Sequence, residues 1–264
     1  MRRSILGTAI IGLAAAVGVA AFLYPLLLPS IAGRALSGEA YAGGAPLLTG
    51  MLLLFTIAVL LLEAQGQRTS AKTIAALGVL VAAVSVLRFI EVAIPGPGGF
   101  SPIFVPIIIA GYVFGARFGF LMGSLTILVS ALLTGGIGPW LPYQMLATGW
   151  AGLTAGLLPQ FQKPAWIIAV LVAFAFLWGI LYGLVMNLYF WPFLTGDITV
   201  SGDAIPTVSS TLANYGAYYI ATSAVWDLTR ATGNALLMFA LGLPAVRALQ
   251  RFRNRFQFEV VQFS

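Results

Sequence analysis

The chain has 264 residues and contains neither histidine nor cysteine. Those two absences exclude disulfides, thiolate and imidazole metal sites, histidine general bases and cysteine nucleophiles. Charge is also scarce. Only 8% of residues are charged, against about 25% in a soluble domain. The seven acids are Glu39, Glu63, Glu91, Asp197, Asp203, Asp227 and Glu259. They are scattered, so no paired-carboxylate motif is available to hold a metal. There is no GxxxxGK[ST] phosphate loop, so the chain carries no nucleotide-hydrolysing device of that kind. Neither an enzyme nor a cofactor or metal carrier is expected. A membrane enzyme acting on lipid-linked substrates would need the acid–base or metal-binding groups that are missing.

What is present is apolar. Hydrophobic residues make up 60% of the chain and the mean hydropathy is +1.00, which predicts an all-α integral membrane protein. Crossing the hydrocarbon takes about 20 residues. Eight spans of roughly that size are expected at 5–31, 46–64, 73–94, 102–116, 118–134, 143–159, 165–190 and 214–243. The stretch 102–134 is too long for one crossing. "GARFG" (Gly115–Gly119) holds its only charge, so a tight turn is expected there.

The basic residues set an expected orientation. With the N-terminus inside, the inner segments hold Arg2, Arg3, Arg68, Lys72, Arg117, Lys163, Arg247, Arg251, Arg253 and Arg255, ten of the thirteen. Arg34 alone falls outside, and Arg88 and Arg230 lie within spans. Cytoplasmic loops are the ones enriched in Lys and Arg, so both termini are expected in the cytoplasm. The same bias accounts for the net charge of +6 without invoking nucleic acid. The first span follows "MRRS", yet its apolar run far exceeds the 7–15 residues of a signal peptide's core, so it is expected to stay as a span. The closing "RALQRFRNRFQF" is basic with interleaved aromatics, a juxtamembrane pattern drawn to anionic lipid.

Charge inside a span is expensive and tends to mark a substrate path. Arg88 and Glu91 lie in the third span; Asp227, Arg230 and Asn234 lie in the eighth. At a helical rise of about 1.5 Å, Arg88 and Glu91 sit about 22 and 27 Å above the inner boundary, and Asp227 and Arg230 about 24 and 20 Å. The four charges are thus expected at one level, in the outer half of the bilayer. They would form either a salt-bridge lock between two helices or the wall of a polar pocket. Near that level lies "GGIGPWLPYQMLATGWAG" (Gly135–Gly152), whose Trp140, Tyr143 and Gln144 offer hydrogen bonds and flat aromatic surface. Trp226 joins this rim, and "GPGGFSP" (Gly96–Pro102) is a matching turn. The outer segment Trp191–Ser210 is either a plain polar loop or a cap over the site.

Gly111, Gly115, Gly119 and Gly123 recur every four residues and suit close helix packing, as do Gly78 and Ala82 in the third span. No inverted repeat is visible, which argues against a self-sufficient secondary transporter built on the charge cluster.

These features resemble the substrate-binding S components of energy-coupling factor (ECF) vitamin transporters. The resemblance covers about 73–246 and is carried by "GGFSPIFVPIIIAGYVFGARFGFLMGSLTILVSALLTGGIGPWLPYQMLATGWAG". It implies a six-helix substrate-binding core (73–246), preceded by two additional transmembrane helices (1–72) and followed by a basic cytoplasmic tail (247–264). It also implies high-affinity capture of a vitamin from outside, followed by docking onto a membrane T subunit driven by two cytoplasmic ATPases. Gly78 and Ala82 fall where such proteins carry AxxxA and are the implied docking pair. "GGIGPWLPYQM" and "WDLTR" look most like the cobalamin branch. A flavin such as riboflavin would use the same groups, so Arg88, Glu91, Trp140, Tyr143, Gln144, Trp226, Asp227, Arg230 and Asn234 are the expected substrate contacts for either.

Overall fold

A computed structural model describes residues 12–23, 71–94, 99–194 and 207–256, with the isolated positions 26, 50, 51, 54, 56–58 and 96. The described residues contain helices and turns and no strand. Most of the two expected N-terminal spans, and most of the segment Trp191–Ser210, lie outside the described residues.

Local sequence explains where the helices stop. α1 is the apolar helix Gly12–Leu23. α2 (Ala71–Ala93) ends just before Pro95, whose ring disfavours helical backbone in the preceding residue. α3 (Phe104–Phe114) starts after Pro102 and carries Pro106 in its first turn, where no backbone donor is needed. A single residue, Gly115, separates α3 from α4 (Ala116–Thr134). Its φ of 98° is available to glycine and to little else. The turn expected in "GARFG" is therefore one residue long. Gly135, left-handed at φ 69°, closes α4 in the way glycine commonly ends helices. α5 (Leu141–Ala155) has proline in its first turn, and α6 (Pro164–Leu194) begins on one.

The last expected span, 214–243, is not one helix. α7 (Val208–Thr222) opens with a capping box in which Thr207 and Ser210 satisfy each other's backbone N–H. It stops at Ser223, whose φ of −128° breaks the helix, and α8 (Ala224–Phe256) follows. Hydropathy alone does not register this break, because the apolar run continues across it.

Four described helical stretches are long and apolar enough to cross a bilayer: Ala71–Ala93, Ala116–Thr134, Pro164–Tyr189 and Ala224–Asn254. α3 and α5, with 11 and 15 residues, fall short of the usual length. α3 is nevertheless the centre of the bundle. It packs against α4, α5, α6 and α8, and nine of its eleven residues are buried.

Between helices in lipid, close approach of backbones supplies what the hydrophobic effect cannot. Here α3, α4 and α5 meet on glycine. A Cβ at Gly111 or at Gly119 would lie 2.1 Å from the carbonyl oxygen of Gly152, and one at Gly123 would lie 2.3 Å from that of Thr148. Hydroxyls reinforce the contact: Ser124 Oγ donates to Met145 O at 2.9 Å and Thr148 Oγ1 to Gly123 O at 3.2 Å. α1 packs on the far side of α5. Gly18 leaves room for the ring of Trp150 and the side chain of Leu146, and Phe22 meets Tyr143 edge-on at 5.1 Å.

Candidate functional site

At one end of the bundle the chain between α2 and α3 ties two ion pairs together. In α2, Arg88 Nη1 lies 3.6 Å from Glu91 Oε1. Ser101, on the connecting segment, donates to Glu91 Oε2 at 2.8 Å. In α8, Arg230 is paired with Asp227, three residues earlier on the same helix. Arg230 Nε also donates to Gly99 O at 3.0 Å and Nη1 to Gly179 O at 3.4 Å. Arg230 thus holds its own helix, the connecting segment and α6 at once. Its guanidinium carbon stands 5.4 Å from the centre of the Tyr182 ring, within range of a cation–π attraction. Tyr182 is in electrostatic reach of all four charged side chains.

Asp227 reaches this position because α6 offers a notch. A Cβ on Gly183 would lie 1.8 Å from Asp227 Oδ2, and one on Gly179 would lie 2.3 Å from the Cα of Ala231. The two glycines, four residues apart on one face of α6, let α8 approach closely and seat the carboxylate. Asp227 is only 2% exposed.

Not all of the polar atoms are used. Among the described residues, neither side-chain atom of Asn234 has a hydrogen-bond partner, and Asp227 Oδ2 meets none in strict geometry. Asn234 is fully buried and shares a helix face with Asp227 and Arg230 by its spacing of seven and four residues. The hydroxyl of Tyr219 faces the Asp227 carboxylate and is its nearest available donor besides Arg230, although the two do not meet in strict hydrogen-bond geometry.

The expected aromatic rim is arranged differently from the charges. Tyr143 is 2% exposed, held between Phe22 and the ring of Tyr189, 4.2 Å from the latter. Trp140 is 41% exposed and folds over its own turn, Nε1 donating to Gly136 O at 3.3 Å. Gln144 is partly exposed, and its backbone carbonyl accepts from Thr148 Oγ1 at 2.6 Å. Trp226 is exposed, with its Cβ next to Gly99. Gly78 and Ala82 lie on the exposed face of α2, and a Cβ on Gly78 would touch no described atom. No group of three or more His, Cys, Asp or Glu among the described residues could hold a metal.

Sequence reading missed three contributors: Tyr182, Ser101 and the Gly179/Gly183 notch. The small-xxx-small spacing of the two glycines was the available signal, and Tyr182 falls within that motif.

Residues 72–242 match the family described as ECF transporter, substrate-specific component. The chain belongs to that family. This S component is accordingly a membrane transport subunit and not an enzyme, with a small-molecule substrate and the T and ATPase modules as its partners. No curated protein and no solved structure matches it.

Proposed function

We propose that the charged end of this S component is an outward-facing pocket that captures a vitamin, with cobalamin as the substrate. The observation that carries this reading is the Asn234 amide, fully buried on the helix face of the Asp227–Arg230 pair with no hydrogen-bond partner among the described residues. A lock between helices would satisfy its own buried groups, because a buried polar atom left unpaired costs about 1–3 kcal/mol. Groups kept unpaired in the bundle suit a ligand that brings its own donors and acceptors.

The amide arms of a corrin supply both kinds of group. Asn234 would pair with an amide, Asp227 would accept from an N–H, and Arg88, Glu91 and Arg230 would frame the opening. Trp226, Trp140 and Gln144 form the aromatic and amide-bearing surroundings of a large ring, while Tyr143 is buried between Phe22 and Tyr189 and does not face it. On this reading the core has six crossing segments, with α7 on the outer side and both termini in the cytoplasm. Gly78 and Ala82 form the docking face for the T subunit, open on α2 as that role needs. Native mass spectrometry of the gently purified chain tests the substrate directly. A retained adduct with the mass of cobalamin is expected; a flavin adduct would replace cobalamin by riboflavin. A chain that binds neither when they are added back would refute the vitamin reading.

A further inference from the structure

α8 is longer than a bilayer's hydrocarbon requires, and its far end lies opposite the ion pairs. Its 33 residues measure about 50 Å at the helical rise, against a hydrocarbon thickness of about 30 Å. Asp227 and Arg230 occupy its first turns, so the surplus lies at its C-terminal end, in the last dozen or so residues beyond Leu243. This extension is docked along one face: Val246 is fully buried, Leu249 packs on the core, and Arg253 Nη1 donates to Val113 O at the end of α3. The opposite face carries Arg247 and Arg251, four residues apart and both exposed.

Other cations gather at the same end. Gln160 Nε2 donates to Tyr112 O at 3.0 Å, and the backbone N–H of Phe161 donates to Tyr112 Oη at 3.2 Å. These bonds bring the α5–α6 connection, with exposed Lys163, to the end of α3 that Arg253 also grips. Arg117 stands one residue inside the start of α4, just past the Gly115 turn. The only described carboxylates, Glu91 and Asp227, are at the far end of the bundle, each already facing an arginine. Measured from the expected inner end of the last span at Leu243, Arg247 falls about 6 Å beyond the hydrocarbon. That is the depth of the headgroup layer. Trp166, 59% exposed on the first turn of α6, marks the same interface, where tryptophan is enriched.

We infer that the extension of α8 is a binding surface for anionic phospholipid. Its Arg247–Arg251 face grips the phosphate headgroups of the leaflet at that end, and exposed Lys163 adds a cation at the same end of the bundle. Arg253 is turned inward and fixes the extension so that the other two arginines point outward. Each cation near a charged bilayer surface contributes roughly a fivefold gain in affinity.

The test is a native mass-spectrometric titration of the full chain with phosphatidylglycerol and, separately, phosphatidylcholine. Wild type is expected to bind phosphatidylglycerol at least about tenfold more tightly than phosphatidylcholine. The pair Arg247→Gln with Arg251→Gln is expected to lose roughly thirtyfold in phosphatidylglycerol affinity and nothing for phosphatidylcholine. Both side chains are exposed, so the double variant keeps its fold, which vitamin binding checks on the same preparation. Equal affinity of wild type for the two lipids would overturn the inference. So would a double variant that keeps its phosphatidylglycerol preference but no longer co-purifies with the ATPase subunits, an outcome that would give the stripe to an acidic protein surface.

Discussion

Arg230→Ala is the perturbation that probes the charged end most sharply. The substitution removes the ion pair to Asp227 and the hydrogen bonds to Gly99 O and Gly179 O. These losses are unequal. Gly99 is exposed, so water replaces the arginine at its carbonyl, and the Gly179 contact is long. Asp227 is different: its side chain is 3% exposed and, among the described residues, Arg230 is its only cation within ion-pair distance. A buried charge left without its partner costs about 3–5 kcal/mol, two to three and a half powers of ten in the folding equilibrium. Removing Asp227 as well should return most of that cost. In reversible unfolding in mixed micelles, Arg230→Ala should lose about 3 kcal/mol or more, while Asp227→Ala/Arg230→Ala should lose less than the two single variants summed, by at least about 2 kcal/mol. Ligand affinity should fall in all three. An Arg230→Ala variant within about 1 kcal/mol of wild type, or strictly additive losses, would refute the claim that this pair is buried and coupled.

Gly183→Ala places a methyl group on the Asp227 carboxylate and should destabilise by about 1–3 kcal/mol through overpacking, with vitamin binding reduced; an unchanged melting temperature would contradict the notch. Asn234→Leu removes two unpartnered polar atoms, so it should raise thermal stability while weakening vitamin binding at least tenfold; a stable variant that binds normally would take Asn234 out of the site. Gly78→Leu with Ala82→Leu adds bulk to an open face of α2, so stability and vitamin binding should persist while co-purification with the T subunit is lost. Intact assembly of that variant would end the docking assignment. Trp140, exposed on its own turn, should be replaceable by alanine within about 0.5 kcal/mol. Vitamin-dependent quenching of tryptophan fluorescence should then diminish, and a full-sized quench would remove Trp140 from the pocket.

The sequence was most readable where one residue type has one physical use. Gly115 sits in a charge-bearing gap within an overlong apolar run, and only a glycine can take its φ of 98°; the turn was legible for that reason. The four-residue glycine rhythm of α3 and α4 was legible as packing because lipid rewards small residues between helices. Spacing put Arg88 with Glu91, and Asp227 with Arg230, on one helix face each, but not who pairs with whom: instead of a salt-bridge lock between the two helices, each ion pair closes within its own helix. Other features depend on partners far away in the chain. Nothing local tells that Ser223 breaks the last apolar run, since Tyr219, Thr222 and Ala224 are all compatible with helix. Tyr143 reads as an interfacial aromatic until Phe22 and Tyr189 are brought to its ring. Tyr182 gains its place only because Gly179 and Gly183 draw α8 onto α6.

The central claim is that this chain binds a vitamin for a transporter powered by other subunits. Uptake of labelled cobalamin by cells that lack their own cobalamin importer measures this most directly, with the chain expressed alone or with its T and ATPase subunits. Uptake is expected only in the complete set, and none with the chain alone or with an ATPase that cannot hydrolyse ATP. Accumulation by the chain alone, abolished by collapsing the proton gradient, would contradict it and make the charge cluster the ion path of a self-sufficient transporter.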